Sequence, residues 1–147
     1  MAELKYQKYI VNTTMIPEPV KQKDRSLSHG KLDRVIWLDD RVVPGAFQLG
    51  LSWYLKPLGV EGEKGHTHDF DELLAFIGSD WTKPTELNGE VELWLEDEKY
   101  ILTKSCVVFI PKGLKHCPLK LLKSDKPLLH FSVCLANRYS RVGGPVD

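Results

Sequence analysis

Residues 47–55 alternate strictly between apolar and polar side chains, and this stretch limits the possible folds more than any other. One face is apolar and the other is largely polar: Phe47, Leu49, Leu51, Trp53 and Leu55 against Gln48, Gly50, Ser52 and Tyr54. A period of two residues indicates a β-strand with one strongly apolar side. If the polar face looks into the protein interior, Gln48, Ser52 and Tyr54 are candidates to hydrogen-bond a small molecule. If the apolar face looks inward, these residues point to solvent, as we expect for Gln48 but not for Tyr54.

Further short strands are predicted along most of the chain. They lie at 34–38, 73–77, 91–95, 100–103, 106–110, 119–122 and 128–135. A short strand is also predicted at 5–12, whereas residues 21–30 are predicted to form a loop. Residues 80–89 are predicted as a connection that ends in a turn at Asn88-Gly89, and the tail from residue 138 onward as irregular. Many short strands with little helical periodicity indicate an all-β sandwich or barrel.

Composition excludes several classes of protein. A chain of 147 residues with a formal net charge of zero predicts a single domain and gives no basis for binding nucleic acid or a membrane surface. Neither an apolar leader nor a membrane-spanning run is evident. Cys106, Cys117 and Cys134 lack CxxC spacing, so neither a disulfide framework nor a zinc ribbon is expected. We therefore expect a cytoplasmic protein with thiols.

The residues with the most distinctive chemistry are concentrated in residues 65–72. His66 and His68 are two positions apart, and Glu72 is four further on, so a regular strand would place all three on one face. Two imidazoles and a carboxylate suit a divalent transition metal. A fourth candidate ligand, His116, lies far downstream.

Two sequence motifs contain these residues, and together they resemble the motifs of the cupin superfamily. The first motif comprises Gly59 or Gly62, then His66, His68, Glu72 and a closing Gly78. The second comprises Pro111, Gly113 and His116, with Ser105 in place of its usual opening glycine and Lys120 in place of a frequent asparagine. The resemblance covers roughly residues 47–135, and the order of the motifs makes it specific.

The resemblance implies a double-stranded β-helix, or jelly-roll barrel, in which both motifs meet at one mouth. It divides the chain into an N-terminal arm or extra strand (1–33), a barrel (34–138) and a tail (139–147). It also implies that His66, His68, Glu72 and His116 bind one metal ion. Iron or manganese is favoured on family grounds, although zinc, nickel and copper also suit these ligands.

A metal with open coordination positions points to a small metal-dependent enzyme. Oxygenase, isomerase, decarboxylase and lyase chemistry all remain open, on a small polar or acidic substrate that binds the metal through oxygen. Glu72, Tyr54 and His130 are the candidate catalytic residues, and Tyr54 is expected to face the barrel interior. Cys117 should point away from the metal, because it follows His116 directly on a strand.

Two other functions compete with the enzyme. The chain could be a metal-containing module that binds or senses a small molecule without turnover, or a structural protein that merely keeps a metal. A transcription factor is not expected, because no helix-turn-helix pattern is present. The N-terminal arm is longer than a minimal barrel needs, and such arms often cover an edge strand or cross to a partner, so a homodimer is predicted.

Overall fold

The computed structural model describes residues 4–59 and 64–144. Within them, two single-turn 3₁₀ helices (Gln7–Tyr9 and Thr13–Met15) precede one α-helix, α1 (Glu18–Ser28). The strands that follow are β1 (Leu32–Leu38), β2 (Gln48–Tyr54), β3 (Leu58–Gly59), β4 (Glu72–Gly78), β5 (Glu86–Leu95), β6 (Glu98–Lys104), β7 (Cys106–Ile110), β8 (His116–Ser124) and β9 (Leu128–Cys134).

The strands form two antiparallel sheets that face each other. The first sheet has the order β1-β2-β9-β4-β7, and the second has the order β3-β8-β5-β6. Neighbours in each sheet are mostly distant in sequence, since β9 lies between β2 and β4 and β8 lies between β3 and β5. This is the arrangement of a jelly-roll barrel, and it confirms the predicted all-β class.

The first sheet turns its polar side chains inward, which contradicts the expectation for Gln48. Along β2, Gln48, Gly50, Ser52 and Tyr54 are buried, whereas the intervening apolar residues are partly exposed on the outer face. Alternation fixes which residues share a face, but it does not decide which face looks inward. The reason becomes clear from β9, where His130 lies opposite Ser52, so both strands line one polar interior.

One end of the barrel is filled by an apolar core. The two sheets contribute Leu74, Phe76, Leu87, Val91, Leu93, Leu121 and Leu128, all buried. At the other end, the same strands carry polar residues: β4 begins with Glu72, and β9 ends with Cys134 directly opposite it. The core therefore closes one end of the barrel and leaves polar groups at the other.

The prediction of a loop at 21–30 is wrong, because α1 occupies Glu18–Ser28. The prolines at 17 and 19 suggested a broken segment, but proline is well tolerated in the first turn of a helix. The helix ends at His29 and Gly30, which both have positive φ, as in a left-handed cap. Val20 packs with Ile16 and Trp37 in a small second core that holds α1 against the barrel.

Two shorter predictions are also wrong. Residues 5–12 form no strand, and they contain the 3₁₀ turn Gln7–Tyr9 instead. Asn88 lies inside β5 rather than at a turn, because its positive φ belongs to an irregularity in the pairing of β5 with β6 between Glu86 and Val91. In the described ranges, no helix has the length and apolar character needed to cross a membrane.

Candidate metal centre

Backbone hydrogen bonds hold the two histidine-bearing segments together. The N–H of His66 donates to the carbonyl of His116 and the N–H of His116 donates back, both at 3.0 Å. The N–H of Gly113 donates to the carbonyl of His68, also at 3.0 Å. Two stretches that are about fifty residues apart in sequence are thereby fixed side by side, as the resemblance implied.

The turn before His116 has specific local requirements. Gly113 has φ +84°, a conformation that side chains with a Cβ rarely adopt. The side chain of Asp71 accepts a hydrogen bond of 2.8 Å from the N–H of Lys112 in the same turn. Asp71, in the first motif, thus holds the turn of the second motif in place, a structural role that requires no contact with a metal.

Three of the four predicted metal ligands bring their donor atoms together. Nε2 of His68 and Nε2 of His116 each lie 3.0 Å from Oε2 of Glu72, and all three side chains are buried. Two ligand atoms that each lie about 2.1 Å from one metal at a right angle are about 3.0 Å apart. Nε2 of His68 and Oε2 of Glu72 lack a hydrogen-bond partner among the described residues. The 3.0 Å distances between these ligand atoms, the burial of their side chains and the lack of hydrogen-bond partners all fit a bound metal ion.

Both imidazoles are oriented by backbone carbonyls on their far side. Nδ1 of His68 lies 2.5 Å from the carbonyl of Ser140, and Nδ1 of His116 lies 2.9 Å from the carbonyl of Leu114. Because a carbonyl only accepts, each Nδ1 carries the proton and each Nε2 keeps its lone pair toward Glu72. Such support of the far nitrogen is characteristic of histidines that bind metals.

The electrostatics of the group favour a positive charge at its centre. Burial would raise the pKa of Glu72, but the close approach of His116 and His68 holds it at about 2. Burial would lower the pKa of His116, yet its contacts with Glu72 and the Leu114 carbonyl raise it. Without a metal, Glu72 therefore stays ionised and stabilises a proton on His116. A divalent cation would replace that proton.

His66, the fourth predicted ligand, stands beside this group with a different partner. Its ring lies 4.5 Å from that of His116 and 4.9 Å from that of His68. Its Nε2 accepts a hydrogen bond of 3.3 Å from the hydroxyl of Tyr139. Burial, followed by the charge of Arg141, lowers the pKa of His66 to about 4, so its imidazole is neutral and able to bind a metal.

Tyr139 and Arg141 are site residues that the sequence did not reveal. Nε of Arg141 donates to the Tyr139 hydroxyl at 3.2 Å, and Tyr139 in turn reaches His66. Burial raises the pKa of Tyr139 despite the opposing effect of Arg141, so its hydroxyl remains a proton donor. The expected irregular tail at 139–147 thus contributes to the site through its described part. The sequence offered one signal for these two site residues: Tyr139 and Arg141 are two positions apart, as are neighbouring residues on one face of a strand.

A cavity of about 280 Å³ extends from the donor group into the polar end of the barrel. Helix α1 covers part of it through Val20, Asp24 and Leu27. Charged side chains from five segments also line it, namely Lys23, Arg34, Arg41, Glu72 and Arg141. Its size and its mixture of apolar walls with a few polar groups are typical of small-molecule sites.

The remaining predicted catalytic residues, Tyr54 and His130, both line this cavity. Their rings are in contact, with centroids 4.8 Å apart. Nδ1 of His130 donates to the carbonyl of Ala75 at 2.9 Å, which leaves Nε2 as the acceptor. Burial lowers the pKa of His130 to about 4, an effect that the positive charge of Arg34 reinforces. His130 is therefore a neutral imidazole and a weak base.

Gln48, which was expected to point to solvent, is instead placed where it can hydrogen-bond a bound molecule. It lines the cavity and is 1% exposed, and its Oε1 finds no hydrogen-bond partner in the described part of the chain. A buried amide oxygen without a partner is costly, so it marks a place where a bound molecule would supply a hydrogen bond.

Cys117 contradicts the expectation that it would point away from the metal ligands. It lines the same cavity as His116. The pairing of β8 with β5 slips between Leu93 and Leu95, and Cys117 itself has φ 76°. A bulge of this kind breaks the alternation of the strand and turns two successive side chains to one side.

Comparison with known proteins agrees with this architecture. A scan against models of protein families and a search of curated proteins both gave no match. Among solved structures, oxalate oxidase in complex with glycolate matches with a TM-score of 0.50 and 12% identity, over 76% of this chain and 54% of its own. An RmlC-like cupin from Shewanella frigidimarina matches with 17% identity and a TM-score of 0.43, over 73% and 78% of the two chains. The chain has the cupin fold.

A cupin superfamily protein from Desulfitobacterium hafniense matches at 15% identity and a TM-score of 0.42, over 63% of this chain and 69% of its own. The chain spans about half of the length of oxalate oxidase. At these identities the likeness concerns the cupin barrel alone, and what the barrel does here has to be argued from its own residues.

Proposed function

We propose that this cupin is a metal-dependent enzyme acting on a small molecule. The observation that carries the proposal is the buried group of His68, Glu72 and His116, whose donor atoms converge at 3.0 Å beside a cavity of about 280 Å³. A divalent iron or manganese ion held there, with His66 as a fourth ligand, would act as a Lewis acid toward an oxygen atom of the substrate. A site meant only for structure has no need of a cavity beside it.

The substrate that fits this cavity is a small polar or acidic molecule. The positive charge of Arg141 reaches the site, since it helps to lower the pKa of His66 and opposes the rise in the pKa of His116. Arg34 adds a second positive charge to the wall, although Asp24 of α1 engages it in a two-point ion pair at 2.9 Å. A carboxylate bound at the metal would be attracted by both guanidinium groups. Oxalate oxidase, with glycolate bound, is a protein of this fold whose ligand is a small hydroxy acid.

The chain's own residues have distinct parts in the proposed reaction. Tyr139 can donate a hydrogen bond close to His66, because the raised pKa of its hydroxyl keeps it protonated. His130, with a pKa of about 4, is better suited to accept a hydrogen bond from the substrate than to remove a proton. Tyr54 supports the His130 ring, and Glu72 would act as a base only if it left the metal.

A homodimer is proposed on the strength of the outer face of the first sheet. Because polar residues of that sheet face the cavity, its outward positions are apolar: Leu49, Leu51 and Trp53 on β2, Leu129, Phe131 and Val133 on β9, and Val107 and Phe109 on β7. Phe109 is 61% exposed. Replacement of Phe109 by aspartate should convert a dimer to a monomer in sedimentation experiments, whereas the same change at the exposed Trp81, outside this face, should not.

Turnover separates the enzyme from a binding module. Metal-free protein would be reconstituted with Fe²⁺ or Mn²⁺ and mixed with a panel of small hydroxy and keto acids, with oxygen uptake and products followed by mass spectrometry. We expect turnover that is lost in Glu72→Gln and kept in Asp97→Asn, a change in an exposed hairpin turn. Tight binding of an acid without product would favour the sensing module instead.

A further inference from the structure

Cys117 belongs to a second group of donor atoms beside the proposed metal centre. Its Sγ and one ring nitrogen each of His66 and His116 lie within 4.8 Å of one another. The bulge at the start of β8 is what turns the thiol to this side, immediately after His116. A thiolate and two imidazoles are a ligand set that suits zinc and other thiophilic ions.

The two donor groups share His116, and His66, the proposed fourth ligand of the first group, belongs to the second group as well. Nδ1 of His116 donates to the Leu114 carbonyl, so only Nε2 of this residue is available to a metal. Nε2 of His116 lies 3.0 Å from Oε2 of Glu72 in the first group. The same nitrogen is the one that His116 can provide to an ion bound together with Cys117. Since one imidazole nitrogen binds one ion, the two groups compete for a single ion rather than holding two.

The second group needs only a small adjustment to close on an ion. Nitrogen and sulfur ligands of a tetrahedral zinc ion are about 3.6 Å apart, about 1 Å less than the upper limit of the separation seen here. His66 is only partly buried, and its 3.3 Å hydrogen bond to Tyr139 is long, so rotation of its side chain can supply the movement.

We propose that the softness of the ion selects the donor group at this site. A thiophilic ion binds to His66, His116 and Cys117, with the thiol proton released to solvent as the sulfur–metal bond forms. A harder ion such as Mn²⁺ binds to His68, Glu72 and His116, with His66 as the fourth ligand. The inference rests on the proposed function in that the first group, His68, Glu72 and His116, is the proposed enzymatic site. Its consequence is that a soft ion occupies His116 and excludes the ion that the enzyme uses.

The test uses Cd²⁺ as the soft probe and Mn²⁺ as the hard probe. Cadmium added to metal-free protein should produce ultraviolet thiolate-to-metal charge-transfer absorption, and Mn²⁺ binding is read separately from the paramagnetic resonance of the free ion. In Cys117→Ser the absorption should vanish and Cd²⁺ affinity should fall about tenfold or more, with Mn²⁺ affinity unchanged. Cadmium should also displace Mn²⁺ from the wild type at lower concentration than from the variant. Cys106→Ser, on β7 and outside the cavity lining, is the matched control.

Further variants separate this inference from the proposed function. His68→Ala should lose Mn²⁺ but keep the cadmium absorption. Unaltered Mn²⁺ binding there would count against the proposed metal centre and leave the cysteine group standing. The inference is overturned if cadmium gives no thiolate absorption, or if the absorption survives in Cys117→Ser. Alkylation of the wild type provides a check that does not depend on a variant's folding, because bound cadmium should protect Cys117 from iodoacetamide and leave Cys106 reactive.

Discussion

Replacing His130 with phenylalanine should make the stability of the metal-free protein less sensitive to acid. The imidazole is buried between two aromatic rings, with Phe76 and Tyr54 each at a centroid distance of 4.8 Å. Phenylalanine has a similar shape and can keep this stacking, although it loses the hydrogen bond to the Ala75 carbonyl. That loss should cost about 1 kcal/mol at neutral pH.

The size of the acid effect follows from the lowered pKa. His130 titrates at about 4 in the folded protein instead of 6.5, mainly because burial disfavours the charged ring. As pH falls below 6.5, the unfolded chain takes up a proton that the folded protein does not, so folding loses free energy. The loss is about 2 kcal/mol at pH 5 and about 3 kcal/mol at pH 4, where the folded protein begins to take up the proton as well.

Urea unfolding followed by tryptophan fluorescence, in the presence of a chelator, would measure this difference between pH 7.5 and 4. The wild type should lose about 2 kcal/mol more than His130→Phe by pH 5. His66, which has a lowered pKa, and His116, which has a raised one, titrate in both proteins and cancel in the comparison. His29→Asn, at the exposed end of α1, should follow the wild type. A constant difference between wild type and His130→Phe at every pH would refute the reasoning.

Two further predictions concern the frame around the site. Gly78→Ala should destabilise the fold by at least about 2 kcal/mol in thermal or urea unfolding, because the added Cβ would lie 1.9 Å from the carbonyl oxygen of Glu86. The control is Gly59→Ala, whose Cβ would meet only a flexible lysine side chain and should be tolerated. Equal destabilisation by the two substitutions would contradict this account. Asp24→Asn removes the carboxylate that forms an ion pair with Arg34 beneath α1. Backbone amides of α1 should then exchange with deuterium faster, while the exchange rates of β4 stay the same. Unchanged exchange in α1 would show that the ion pair does not hold the helix.

The cupin fold could be predicted because its signals are local and periodic. Alternation along residues 47–55 identified β2, and the spacing of His66, His68 and Glu72 pointed to a first motif that the structure places beside His116. These signals depend only on the geometry of single strands and on the order of two motifs. Gly62, one of two candidates for the opening glycine, lies outside the described residues.

The direction in which β2 faces could not be predicted from its own residues. Both of its faces are physically acceptable, and the choice depends on His130 and Glu72, which are about 80 and 20 residues away in the sequence. The helix α1 was missed because two prolines were interpreted as breaks, although its left-handed end at His29-Gly30 was compatible with a helix.

The tail and Cys117 were missed for a related reason. Tyr139 follows the last strand and belongs to no motif, so only the folded chain shows that it reaches His66. Cys117 was assigned to the wrong side because alternation assumes a regular strand, and β8 begins with a bulge. Contacts between distant segments and irregular strand starts both require the three-dimensional arrangement.

The metal content of the purified protein tests the central claim most directly. Wild type, His68→Ala and the control His29→Asn would be compared by inductively coupled plasma mass spectrometry, with circular dichroism to confirm that each is folded. The account predicts about one transition-metal ion per chain in the wild type and in His29→Asn, and little metal in a folded His68→Ala. A folded His68→Ala that keeps the wild-type metal content would contradict it.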